Sequence, residues 1–320
     1  MTHALFAPAF TEQIAVPAGQ FSASIQSFSQ DLQTGLIDVH AAGLPRFYLL
    51  LAGGQLVNIY RTTDQLERLE PSGWAESLNI FRIKSFVRLL TLTPQAVRVL
   101  KIMIEQKDDR HGLISGSGPI EAQFARWMEH PVPALAHVLW PNAEALVLFP
   151  GQGSPPRYTL FVAANQILHS AGSVMAVYGW KEPYRTATLY SSEPRTLAWT
   201  EFMLNHGFSG LVNTMLDKFE QITGRILLNQ VIRDVNFTAT AHSWNIRLDA
   251  KNFTDQSIFS SPQSAAEVYT RLLKVLLRHF DSALGAGMLN HLISESLQTL
   301  TPAYRAVLME NLPILQPRQV

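Results

Sequence analysis

Two stretches near the C-terminal end of this 320-residue chain match without a gap, and they restrict the fold more than any other feature. Leu216 to Asp234 reads LDKFEQITGRILLNQVIRD, and Leu277 to Glu295 reads LRHFDSALGAGMLNHLISE. Phe219 and Phe280, Gly224 and Gly285, Leu228 and Leu289, Asn229 and Asn290, and Ile232 and Ile293 coincide, while Glu220/Asp281 and Asp234/Glu295 keep their charge. Each copy reads as a helix ended by a glycine, which enters the left-handed region without a Cβ penalty, followed by a second helix. Duplicated helical hairpins pack about a pseudo-two-fold axis into a bundle. Residues 196–320 are therefore expected to form a helical domain with a 61-residue internal repeat. Between the copies, Phe237 to Phe253 alternates and is compatible with one or two strands. Thr301-Pro302 opens a last helix, as Thr93-Pro94 does upstream: threonine caps, and proline at the first helical position forfeits no hydrogen bond.

Upstream of this region the pattern changes to strands. Arg46 to Arg61, RFYLLLAGGQLVNIYR, reads as strand, Gly53-Gly54 turn, strand. Arg157 to Gly172, RYTLFVAANQILHSAG, repeats it: Arg46 meets Arg157, Leu49 meets Leu160, Ala52 meets Ala163 and Gln55 meets Gln166. Leu36 to Val39 and Ala145 to Phe149 supply a preceding strand to each, so each module is at least a three-stranded antiparallel meander covered by amphipathic helices. The expected fold class is α+β, with modules at 1–118 and 119–195 ahead of the helical domain. Residues 1 to 20 read as an irregular lead-in, and Asp64 to Glu70 as an exposed charged connection. Phe21 to Phe28 is compatible with strand or helix. Ile80, Ile83, Phe86, Val87 and Leu90 fit a helical stripe better than the strand alternation of Phe81 and Ile83 with Arg82 and Lys84. Gln106 to Gly118 is a polar, glycine- and serine-rich break.

Chemistry is constrained by what the residues do not spell. Cysteine is absent, which excludes disulfides, thiolate catalysis and cysteine-based zinc sites and points to a reducing compartment. Charge balances overall and locally, with 10 basic against 11 acidic residues up to position 125, 5 against 4 up to 195 and 10 against 10 beyond. That argues against nucleic acid or an anionic membrane as partner, and leaves self-association open. The N-terminus has no signal-peptide pattern, and no run reaches the ~20 apolar residues that span a bilayer. His111 to Pro119 has the glycines of a phosphate cradle but no lysine. Glu129-His130 and His137 are separated by Pro131 and Pro133, which breaks any shared helical face. Asp108-Asp109 reads as solvated. His279 and His291 stand where the first copy has Lys218 and Gln230, which reads as solvated rather than ligating. Asp234 and Glu295 occupy matching repeat positions; a two-fold bundle that joined them would raise one pKa, but two exposed charges are the favoured reading. Arg46 and Arg157 are expected to guard sheet edges, the alternative being a partner surface, and Trp180 and Trp199 are expected to serve inter-domain packing rather than a ligand stack. No catalytic, cofactor or metal residue is assigned.

Thr34 to Arg61 resembles the PATAN-type domain of bacteria, whose pattern runs "tG-L-V", short turn, apolar strand, "G-x-L/I-V". The matching residues are Thr34-Gly35-Leu36, Leu49 to Leu51, and Gly54-Gln55-Leu56-Val57. The second module departs from it, with Ala145 and Asn165 where glycines would stand. The resemblance implies a non-enzymatic interaction module, often joined to response-regulator or small-GTPase systems, with no catalytic residue to carry over. The resulting expectation is a cytoplasmic protein-interaction or signalling scaffold without a cofactor. Its alternative is a small-molecule sensor, the ligand held in the C-terminal bundle by Ile226 to Ile232 and Met288 to Ile293.

Overall fold

A computed structural model describes residues 6, 13–62, 66–78, 83–106, 120–151, 155–163, 166–170, 174–193, 195–249 and 252–316. The chain divides into two compact units, 1–196 and 197–320. It is α+β: antiparallel sheets occupy the first unit, and helices dominate the second. No helix among the described residues is long and apolar enough to cross a membrane.

The first unit opens with β1 (Ile14–Val16) and α1 (Phe21–Leu32). It continues through β2 (Gly35–His40), β3 (Arg46–Ala52), β4 (Gln55–Thr62), β5 (Leu66–Leu69), α2 (Trp74–Leu78), β6 (Ser85–Thr91) and α3 (Pro94–Glu105). The first sheet has the order β1-β6-β2-β3-β4-β5. Then follow α4 (Ile120–Met128), β7 (Ala134–Leu139), β8 (Ala143–Phe149), β9 (Tyr158–Ala163), β10 (Gln166–Ser170), α5 (Met175–Tyr178) and β11 (Thr186–Ser191), with sheet order β10-β9-β8-β7-β11. Gly53 and Gly54 both have positive φ (56° and 75°), the geometry of a tight hairpin turn, and the β3–β4 hairpin forms as its sequence predicts.

Both sheets share one plan: helix, four strands, short helix, then a last strand that pairs beside the first. Residues opposite one another run Arg88, Asp38, Tyr48, Tyr60, Arg68 across the first sheet. They run Thr188, His137, Leu146, Leu160, His169 across the second. The two sheets therefore share a topology, but the expected alignment between them is one strand out of step. The counterpart of β3–β4 is β8–β9, not β9–β10. An apolar run, a two-residue turn and an alternating run describe any hairpin of a meander, so local likeness selected the wrong pair. The true correspondence begins in the helices, where Phe21, Ile25 and Phe28 match Ile120, Phe124 and Trp127, and each set packs on its own sheet.

One open alternative is decided, and three other expectations are corrected. Phe21 to Phe28 lies within helix α1. The lead-in contains strand β1, which pairs with β6. Segment 64–70 contains edge strand β5; Asp64 itself lies outside the described residues. The helical stripe at Ile80 to Leu90 yields instead strand β6, paired on both sides by β1 and β2. Helix α3 forms as expected, with the Thr93 hydroxyl accepting the Ala96 N–H (3.2 Å). It packs against β2 and β5 of one sheet and β7 and β8 of the other, and every residue from Ala96 to Ile104 is buried. The segments His111 to Pro119 and Asp108-Asp109 lie outside the described residues.

The second unit contains α6 (Leu197–Thr223), α7 (Arg225–Ala241), β12 (Ile246–Leu248), β13 (Phe253–Asp255), α8 (Pro262–Leu284), α9 (Ala286–Gln298) and α10 (Pro302–Asn311), then a 3-10 turn, Pro313–Leu315. Gly224 and Gly285 end α6 and α8 with φ of 80° and 75°, and their N–H groups donate to Glu220 and Asp281 at 2.8 Å each. Both copies thus close the first helix with the same hydrogen bond. Phe208 stacks on Tyr269 (ring centroids 4.4 Å apart) and Phe219 on Phe280 (4.2 Å), so residues of equal repeat position meet along the seam. Helices α6 and α8 therefore run side by side in the same direction, related by a pseudo-two-fold axis.

Candidate functional site

Three groups of buried polar side chains in the first unit are joined by hydrogen bonds. Asp38, fully buried, accepts from Arg46 Nε (2.8 Å) and from Arg88. Burial holds the Arg88 guanidinium below its ordinary range. Glu144, also fully buried, meets His137 Nε2 (2.8 Å) and accepts the Phe6 N–H (2.7 Å). The Tyr158 hydroxyl meets His169 Nδ1 (2.8 Å) and Thr93 Oγ1 (3.3 Å). Burial pushes that phenol up to about 12, and burial also holds His169 below its ordinary value. These sets satisfy buried polar atoms from within the chain, as a low-dielectric interior demands.

Arg46 does not guard an edge. Strand β3 lies between β2 and β4, and the guanidinium serves a buried carboxylate. Arg157 directly precedes β9, which is likewise interior to its sheet. His130 turns its Nδ1 to the Val132 carbonyl (3.0 Å), apart from the His137–Glu144 pair. Trp180 packs on Phe161 (5.5 Å) and Trp199 on Phe202 (6.0 Å). Among the described residues, no three histidine, aspartate or glutamate side chains converge as metal ligands.

Asp234 and Glu295 do not pair with each other. Each pairs across the pseudo-two-fold with the base of the other copy: Lys218 Nζ donates to Glu295 (2.5 Å), and His279 Nε2 meets Asp234 (3.0 Å). Lys218 and His279 are themselves equivalent, so the two bridges are one interaction made twice. Glu295 also takes His291 at 3.2 Å. The hydrogen bond and charge of Lys218 hold the Glu295 carboxyl below its ordinary range, the opposite of the rise expected had two carboxylates met.

A large depression in the second unit lies outside this seam. A groove of about 1140 Å³ runs between α8, α9, α10 and the 3-10 turn. Leu289, Leu297 and Leu315 are buried at its base, with Leu277, Ile293, Met309 and Ile314 half-buried beside them. Lys274, Arg278 and Arg305 stand on its rim against the single carboxylate of Asp281. Helical spacing builds this wall: Lys274, Leu277, Arg278 and Asp281 are three or four apart on α8, as are Leu289, Ile293 and Leu297 on α9. Of the segments expected to line a ligand pocket, Leu289, Asn290 and Ile293 do so, whereas Ile226 is 78% exposed and outside it. The space between the repeats is occupied by the stacked rings.

The first copy treats the corresponding face differently. Asn213, the counterpart of Lys274, accepts the Phe253 N–H (2.7 Å). Asn236, the counterpart of Leu297, accepts the Leu248 N–H (2.8 Å) and donates to its carbonyl (2.7 Å). The β12–β13 ribbon thus lies against α6 and α7 with Leu248 and Phe253 buried. Sequence reading assigned no residue of the groove's cationic rim. The available signal was divergence between the copies, Asn213 to Lys274 and Asp217 to Arg278. Comparison of the chain with family models, curated proteins and solved structures finds no match.

Proposed function

We propose that this protein is a non-enzymatic, cytoplasmic protein-interaction or signalling scaffold of a bacterial regulatory system, with the groove of the second unit as its docking site. The observation that carries the reading is the groove itself: an apolar base large enough for several side chains, bordered by three cations that form no ion pair with the described residues. Grooves of this kind take a partner's apolar anchors at the base and its charges at the rim. The resemblance of Thr34 to Arg61 to the PATAN-type pattern supports the same reading, since this stretch holds the consecutive strands β2, β3 and β4. It directs the search to a response regulator or small GTPase.

The test is purification of the tagged protein from its native host at low salt, with mass spectrometry of what co-elutes. A response regulator or small GTPase at near-stoichiometric level is the expected result. A turnover abolished by changing one polar residue would overturn the reading. The second reading, a small-molecule sensor, draws on the volume of the same groove. A bound small molecule retained in native mass spectrometry of the purified protein, without a protein partner, would favour it.

A further inference from the structure

We infer that the groove binds an extended, acidic and apolar peptide segment of a partner protein, an inference that rests on the scaffold reading above. The chain supplies its own precedent. In the first copy of the repeat, the equivalent face holds a main-chain ribbon, with Asn236 hydrogen-bonding both the N–H and the C=O of Leu248 as a neighbouring strand would. Two side-chain amides on α9, Asn290 and Gln298, line the groove of the second copy and make no hydrogen bond to the described residues. Main-chain N–H and C=O groups of a peptide satisfy such amides; an acyl chain offers them nothing.

Charge sets the class of peptide. Positions that are Asn213 and Asp217 in the first copy are Lys274 and Arg278 in the second, and α10 adds Arg305. The chain beyond residue 195 balances 10 basic against 10 acidic residues, so this concentration of positive charge is local. Aspartate or glutamate in the peptide meets the rim, while leucine-like side chains reach the buried base at Leu289, Leu297 and Leu315. Facing side chains of opposite character suit an extended segment, in which successive residues point to opposite sides.

The test is selection of a random-peptide display library on the full-length protein, followed by anisotropy titration of labelled winners. Expected winners alternate Asp or Glu with Leu, Ile or Phe. Their Kd rises about tenfold in Arg278→Glu/Arg305→Glu, rises with added salt, and is unchanged in the control Arg225→Glu. Should the charge reversal unfold the unit, Arg278→Gln/Arg305→Gln carries the same test. Winners without acidic bias, or binding that ignores both double variants, would overturn the inference. So would binding of dodecanoate, and of no peptide, with the same charge dependence. Host co-purification separates the two levels. A partner recovered equally by wild type and Arg278→Glu/Arg305→Glu sinks the groove inference and keeps the scaffold. Groove-dependent peptide binding with no stoichiometric host partner does the reverse.

Discussion

Replacing Phe280 with alanine tests the seam on which the second unit is built. Phe280 is fully buried and its ring lies 4.2 Å from that of Phe219, at an interplanar angle of 19°. Truncation of a buried phenylalanine costs about 3–5 kcal/mol, from lost transfer energy and the cavity left behind. Because Phe219 occupies the same repeat position and is equally buried, Phe219→Ala should cost a similar amount. The stack adds about 0.5–1.5 kcal/mol beyond area burial, and either truncation removes it. The double variant should therefore fall short of the summed singles by about that margin. Phe208→Ala with Phe280→Ala is the control: Phe208 lies three turns away along α6 and stacks on Tyr269 instead, so those two should add. A chain of two units need not unfold in one step, so the assay is hydrogen exchange in graded denaturant, read on peptides of α6 and α8. Singles costing under about 1 kcal/mol, or a Phe219/Phe280 double equal to the sum, would refute the seam.

Three further outcomes are expected. Gly224→Ala and Gly285→Ala should each cost about 1–3 kcal/mol, because φ of 80° with ψ of 171°, and 75° with 159°, belong to glycine alone; nothing lies within 4 Å of an added Cβ, so the loss is purely backbone, and equal denaturant midpoints for mutant and wild type would contradict it. Lys218→Met should flatten the acid limb of the second unit's stability curve. The Glu295 pKa is lowered in the fold, so its contribution is present above the ordinary 4.5 and lost as pH falls through the lower folded value; exchange measured from pH 5 down to 2 reads the change in slope. Asp38→Ala should cost about 3–5 kcal/mol by leaving Arg88 buried without its carboxylate, and a first-unit thermal transition unmoved by the change would reject that role.

Legibility in the sequence followed how local the determining physics is. The helical repeat was readable because helix, glycine stop and helix are set within a few residues, and the structure returns the same hydrogen bond at both glycines. The Gly53-Gly54 turn was readable for the same reason. Strand β6 was not: Val87 and Leu90 are buried on opposite faces, with α1 on one side of the sheet and α3 on the other. A strand covered on both faces loses its alternation, and a continuous apolar run then fits a helical stripe equally well. Which hairpin corresponds to which depends on strand neighbours that no local comparison contains. The groove was least legible, since α10 and the 3-10 turn reach α8 and α9 only through the tertiary fold.

The two sheets also show what a shared topology must keep and what it can exchange. Asp38 and Arg46 sit diagonally across β2 and β3; His137 and Glu144 sit in the same diagonal relation across β7 and β8, with the acid and base interchanged. In both, the carboxylate is the fully buried member. An ionised carboxylate in that position needs more than one donor to offset its desolvation. The first sheet supplies the second donor from Arg88 on the neighbouring strand β6. The counterpart of Arg88 is Thr188, whose strand adjoins β7 rather than β8, and Glu144 instead takes the main-chain N–H of Phe6. Sign and position were free to change because the requirement falls on the number of donors around a buried charge, not on which strand bears it. An Asp38→His/Arg46→Glu exchange in the first sheet would therefore fail on its own: Arg88 would lose its carboxylate partner, and the new glutamate would lack the Phe6 N–H.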